Sequence, residues 1–194
     1  MKMITMKHYN KIFAALILIL FVASRSFGQK AYSLKSDKVS VDGTSTLHDW
    51  SSAVTKLEWS GQLTVEGTSV KAIQNLVVTI PVESIKSEKG GMMDDKTYEA
   101  FKSDKNPTIA FKLTSATVTG NKVNAKGTLT MAGVTKPIVM NVDAKVLADG
   151  AVHFSGSQAI NMKDYGMTPP KAVMGTIKVG EKVTVLFELT VAPQ

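Results

Sequence analysis

The sequence predicts an all-β chain, an antiparallel barrel of about eight strands with one short helix, over about residues 94–102, capping one end. Three observations point there. Apolar and polar residues alternate with a period of two along almost everything after the first 28 residues. The alternating stretches are long and follow one another through short turns, without helical crossovers. Only one segment departs to helical spacing. A period of two puts every second side chain on one face, and sheets with one dry face must stack or curl closed. Long up-and-down strands favour closure, which also removes exposed edges.

The chain opens on a targeting pattern. Lys2, Lys7 and Lys11 precede an apolar run from Ile12 to Ala23, and Ser26-Phe27-Gly28 supplies small residues at −3 and −1. This predicts a cleaved export leader over residues 1–28, a domain over 29–194 and a periplasmic or secreted destination. The run is too short for the roughly 20 apolar residues of a spanning helix, so no stable membrane insertion is expected after cleavage. The full chain carries 23 Lys+Arg against 16 Asp+Glu. The leader holds four of the bases and no acid, leaving 19 against 16. A small excess of Lys scattered over outward positions argues against nucleic acid as a partner. There is no cysteine, hence no disulfide framework and no acylation site, so the core alone must hold the fold.

Two short candidates, Tyr32–Leu34 and Val39–Val41, begin the domain. Leu57, Trp59, Leu63 and Val65 then share parity against Lys56, Glu58, Gln62 and Thr64. Leu76, Val78, Ile80 and Val82 form the next dry set. The helical segment follows: Asp94 is placed to cap it, Tyr98 and Phe101 lie three apart on one side, and Met92 or Met93 extends that stripe. Gly90-Gly91 offers a hinge and Pro107 a stop. Ile109, Phe111 and Leu113 resume the alternation. Gly127–Val146 is the clearest hairpin, with Val123, Leu129 and Met131 dry on one strand and Ile138, Met140, Val142, Ala144 and Val146 on the other. Val152, Phe154 and Ile160 follow, then a Met- and Pro-containing loop from Asn161 to Gly175. Val183, Val185, Phe187, Leu189 and Val191 close the series, broken only by Leu186.

Little in this list suggests catalysis. His48-Asp49-Trp50 is the most enzyme-like string, yet neighbours on a strand face opposite ways, and there is no cysteine and no G-x-S-x-G elbow. A turn at the barrel mouth explains it. His8, His48 and His153 lack partners at ligand spacing, and Asp94, Asp95 and Glu99 lack that of a calcium loop, so neither metal nor cofactor is expected.

The hairpin Gly127-Thr-Leu-Thr-Met-Ala-Gly-Val-Thr-Lys-Pro-Ile138, the stretch Asp94-Asp95-Lys96 through Phe101, Asn106-Pro-Thr-Ile-Ala-Phe111 and the run Val77–Ile85 together resemble the YceI-like, polyisoprenoid-binding family. The resemblance covers most of the chain after the leader. It implies a lipocalin-like barrel with an elongated apolar cavity that holds isoprenoids or other long-chain amphiphiles, and members that are often exported. Ligand contacts are then expected from Trp59, Leu63, Val78, Ile80, Phe111, Leu129, Met131, Met140, Phe154 and Phe187 on the dry faces. Met92, Met93, Tyr98 and Phe101 would add to them from the helix, with Tyr165 and Met167 from the loop. Gln158 shares the inward parity and suits either a head group or a backbone carbonyl.

A barrel of eight strands is just wide enough to fill with side chains or to hold one small ligand. A non-enzymatic carrier of isoprenoid, quinone or other lipid is the expected function. A solid-cored barrel acting as a structural or stress-response interaction module, or an enzyme acting on a bound lipid, are the alternatives. A homodimer is compatible with either barrel.

Overall fold

The computed structural model describes residues 28–194; the expected leader lies outside them, apart from its last residue. The strands are β1 (Lys30–Ser45), β2 (Trp50–Val54), β3 (Glu58–Glu66), β4 (Ser69–Pro81), β5 (Ile85–Ser87), β6 (Thr108–Thr119), β7 (Lys122–Met131), β8 (Val134–Val146), β9 (Val152–Asn161), β10 (Lys171–Ala172) and β11 (Ile177–Pro193). One helix, α1 (Gly91–Phe101), stands among them. Eight strands wind the wall in the order β11-β9-β8-β7-β6-β4-β3-β1, and β1 pairs again with β11 to close it. Every pairing is antiparallel, as long strands joined by short turns require. Near the upper end β2 fills the seam beside β1, and β5 pairs with β2.

Bulges bend this sheet into a cylinder. In β1 the register jumps between Leu34 and Ser36, so Lys35 is the extra residue, and its ammonium reaches Asp149 at 2.8 Å. The parity of the dry face changes there, from Tyr32 and Leu34 to Val39 and Val41. One 16-residue strand therefore stands where the alternation showed two short pieces. β6 does the same at Thr114, between Leu113 and Ser115. β4 slips twice against β3, once around Asn75, whose φ is 52°. Each slip adds local twist where the wall must turn.

The two ends differ. The lower end carries the tight turns β3–β4, β6–β7 and β8–β9 together with the start of β1 and the end of β11. Leu63, Val123, Val152 and Val191, each at most 2% exposed, fill it with Tyr32, Phe154, Val142 and Ala144. The upper end carries the long excursions: residues 46–49, the 82–107 segment with α1, and the 162–176 loop. Its one tight turn is Ala132-Gly133, with φ of 50° and 80° between the paired Met131 and Val134. Two positive φ values make this a type I′ turn, which matches sheet twist but strains an alanine. Ala132→Gly should therefore stabilise the fold by about 0.5–1 kcal/mol, read as a higher urea midpoint at unchanged slope.

Helix α1 begins at Gly91 with Gly90 before it, three residues ahead of the expected Asp94 cap. Asp94 lies inside the first turns, buried, and accepts a hydrogen bond from the Ser87 amide at 2.7 Å. At the far end Lys102 adopts a left-handed conformation, with Lys102 N–H bonded to Glu99 O and Ser103 N–H to Tyr98 O. That pair of bonds is the Schellman closure of a helix.

Candidate functional site

Above the filled half the barrel is hollow. A cavity of about 390 Å³ opens at the upper end. Its wall is the upper part of every inward row but that of β3: Val39 and Val41 from β1, Val78 and Ile80 from β4, Ile109 and Phe111 from β6, Leu129 and Met131 from β7. Ile138 and Met140 from β8, Gln158 and Ile160 from β9, and Val183, Val185, Phe187 and Leu189 from β11 complete the circle. The next inward residues down, Ala125 on β7, Val142 on β8 and Val191 on β11, belong to the packed cluster. Two glycines let large rings lie flat against this wall. A Cβ on Gly156 would sit 2.7 Å from the Phe187 ring, and one on Gly127 2.6 Å from Phe111. Bulkier residues there would push both rings into the hollow.

Helix α1 roofs part of the opening. Met93, Lys96, Thr97, Ala100 and Phe101 line the cavity, a run at i, i+3, i+4, i+7 and i+8 that puts all five on one side of the helix. Tyr98 is on another side. Its hydroxyl lies 3.0 Å from the Glu83 carbonyl and 3.3 Å from that of Ile85, and Lys86 donates to it at 2.6 Å. Lys86 also lies 3.6 Å from Asp94, and the Tyr98 hydroxyl, then the Asp94 charge, raise its pKa above the usual lysine value. Tyr98, Lys86 and Asp94 thus fasten the helix to β5 from outside the cavity. Asp94→Ala leaves the Ser87 amide without its buried acceptor and should cost about 1–3 kcal/mol. Amide exchange across residues 91–101 should rise in that variant while the β7–β8 hairpin keeps its protection.

Of the residues expected to touch ligand, Val78, Ile80, Met93, Phe101, Phe111, Leu129, Met131, Met140, Met167 and Phe187 line the cavity. Trp59, Leu63 and Phe154 belong to the packed cluster. Tyr165 is buried with Met162 and Met167 beneath the upper loop without lining the cavity, and burial raises its phenol pKa. Met92 is 78% exposed. The residues that the alternation missed are those of β2 and β5: Trp50, Val54 and Ile85 line the hollow, beside Leu57 of the expected dry set. Strands of five and three residues are too short for a period of two to announce itself.

Polar groups gather mostly toward the mouth, at Ser45, His48, Ser52, Ser87, Lys89, Lys96, Thr97 and Lys171, with Gln158 deeper, level with Val185; no Asp or Glu lines the cavity. Gln158 donates to the Ala159 carbonyl at 2.9 Å. His48 Nδ1 lies 2.6 Å from the Asp49 carbonyl, which can only accept. The Ser45 hydroxyl reaches the His48 carbonyl at 2.7 Å and accepts from the Leu47 and His48 amides. These bonds build a turn and link no imidazole to a nucleophile. Among the described residues no three His, Asp or Glu side chains gather as a metal site, and no helix is long and apolar enough to cross a membrane.

A family model described as a YceI-like domain matches residues 32–191. A UPF0312 protein of Pseudomonas paraeruginosa is 36% identical over 70 residues, which is 32% of this chain and 36% of that protein. The match thus spans little more than a third of that relative's length. Among solved structures, BcnA of Burkholderia cenocepacia superposes with a TM-score of 0.65 at 19% identity, over 80% of this chain and 96% of that one. A polyisoprenoid binding domain from Saccharophagus degradans gives 0.65 at 14%, over 85% and 99%. The Campylobacter jejuni YCEI protein gives 0.54 at 22%, over 72% and 85%. At these identities the structures establish the shared barrel.

Proposed function

The chain belongs to the YceI-like domain family, and on that premise we propose that it is an exported, non-enzymatic carrier that sequesters a long-chain lipid of the isoprenoid or quinone kind. The observation that carries this reading is the hollow upper half of the barrel. Its wall is predominantly apolar, and its charged groups are confined to the mouth. A water's share of liquid volume is about 30 Å³ and a methylene is of similar size, so 390 Å³ takes a tail of roughly a dozen carbons or more. At about 0.8 kcal/mol per buried methylene, such a tail gains enough to offset its own ordering and bind at micromolar concentration or below. The likeness to a polyisoprenoid binding domain supports this ligand class, and the leader pattern before residue 29 supports a periplasmic or secreted location. An interaction module with a solid core would need no such hollow. Nor does the mouth offer an activated nucleophile for chemistry on a bound lipid.

Organic extraction of the purified protein followed by mass spectrometry tests the reading. A stoichiometric long-chain lipid is expected, together with uptake of added quinones or polyprenols. Repeated preparations without lipid, and no uptake of either, would sink it.

A further inference from the structure

We propose that the cavity mouth contains a polar subsite, built by Ser52, Ser87 and Lys89, for the anionic oxygen head of a long-tailed amphiphile, a phosphate or a carboxylate. The inference rests on the carrier reading and adds what the head of the carried molecule must be.

Ser52 is the unusual residue. It points inward between Trp50 and Val54 on β2, is only 4% exposed, and lines the cavity. Among the described residues its hydroxyl has no hydrogen-bond partner, and no fully buried side-chain polar atom is left unpaired. The surface it retains therefore faces the hollow. A serine hydroxyl that opens on an apolar hollow with its proton uncommitted is placed to donate to an oxygen held there.

Ser87 stands directly opposite Ser52 in the β2–β5 ladder, which brings their β-carbons to about 4.5–5.5 Å. Its hydroxyl oxygen accepts from the Lys89 amide at 3.1 Å, leaving its own proton free to donate. Two donors at that separation suit two oxygens of one phosphate or carboxylate. The charge at the mouth has the matching sign. Lys89, Lys96 and Lys171 line it and no acid does. Lys96 is taken up by Glu99 at 2.7 Å, whereas Lys89 forms no ion pair among the described residues. The carboxylates Asp42, Asp49, Glu88 and Glu181 line an adjoining polar cleft that shares His48, Trp50, Ser87 and Lys89 with the cavity, so these four residues form the rim between the two. Asp94, which holds the Ser87 amide, fixes this corner of the mouth in place. A head seated there leaves its tail pointing down toward Phe187 and Phe111.

The test compares one tail with two heads on the full chain: geranylgeranyl phosphate against geranylgeraniol, followed by quenching of Trp50 at the mouth. The phosphate is expected to bind at least tenfold more tightly at low salt, with a margin that shrinks as salt rises. In the Ser52→Ala/Lys89→Gln double variant that margin should collapse, the phosphate losing its advantage over the alcohol. Palmitate against hexadecanol extends the comparison to a carboxylate. Equal binding of phosphate and alcohol, or a margin unmoved in the variant, overturns the subsite and leaves the carrier reading standing. Full competition by inorganic phosphate overturns it too, since the site would then recognise a free anion. Failure of every tailed ligand to bind removes the carrier reading and the subsite together.

Discussion

Leu63→Ala is expected to lower the unfolding free energy by about 3–5 kcal/mol, whereas Leu129→Ala, the same truncation higher in the barrel, is expected to cost about 2 kcal/mol, the low end for a buried leucine. Leu63 is 1% exposed within the packed lower half. Removing its side chain opens a void that closely interlocked neighbours cannot collapse into, so the lost transfer energy and the cavity cost add. Leu129 already faces the hollow, so one side of it has few contacts to lose. The distinction is measured by urea unfolding with tryptophan fluorescence, comparing midpoints at equal slope. Similar losses at the two positions would mean that the barrel is packed alike along its length.

Val185→Trp should do the opposite to binding. Val185 faces the hollow in register with Val41 and Gln158, and an indole there occupies the space that a tail needs. Lipid uptake should fall at least tenfold, a loss of 1.4 kcal/mol or more. Stability should hold, because the ring fills vacant volume and avoids the usual cost of about 1–3 kcal/mol for overpacking. Leu186→Trp is the control. Leu186 points outward and is 42% exposed, so an indole there should leave uptake unchanged. Loss of uptake in both variants would trace the effect to the strand and not to the hollow.

The barrel was legible in the sequence wherever a strand runs without a slip. β7, β8 and most of β11 alternate cleanly, and their inward residues face inward in the structure. Legibility stopped at the bulges. Past Lys35, Asn75 and Thr114 the dry face changes parity, so β1 read as two fragments and the starts or ends of β4 and β6 were lost. β2 and β5 are too short to show a period at all, and they carry Trp50, Val54, Ile85 and the two serines of the mouth. The helix was visible, but not which way it faces. Tyr98 and Phe101 lie three apart and suggested one apolar stripe, whereas β5 offers the Tyr98 hydroxyl two backbone carbonyls and draws it outside. Filling is the deepest omission. Parity says which side chains point inward, but whether they meet depends on the summed volumes of eight strands at each level. Leu63, Phe154 and Val191 share one packed cluster below, while Val41, Val185 and Met140 line the hollow above.

The seam between β1 and β11 joins the two extremities of the domain, pairing Tyr32 with Pro193 and Val41 with Val185. Contacts between residues so far apart in sequence are slow to form, because a long loop must be closed before any of them contributes. A chain lacking β11 also keeps two unpaired strand edges, on β1 and on β9. During synthesis the cylinder therefore cannot shut until β11 has left the ribosome. Until then the polypeptide remains an open, unclosed sheet.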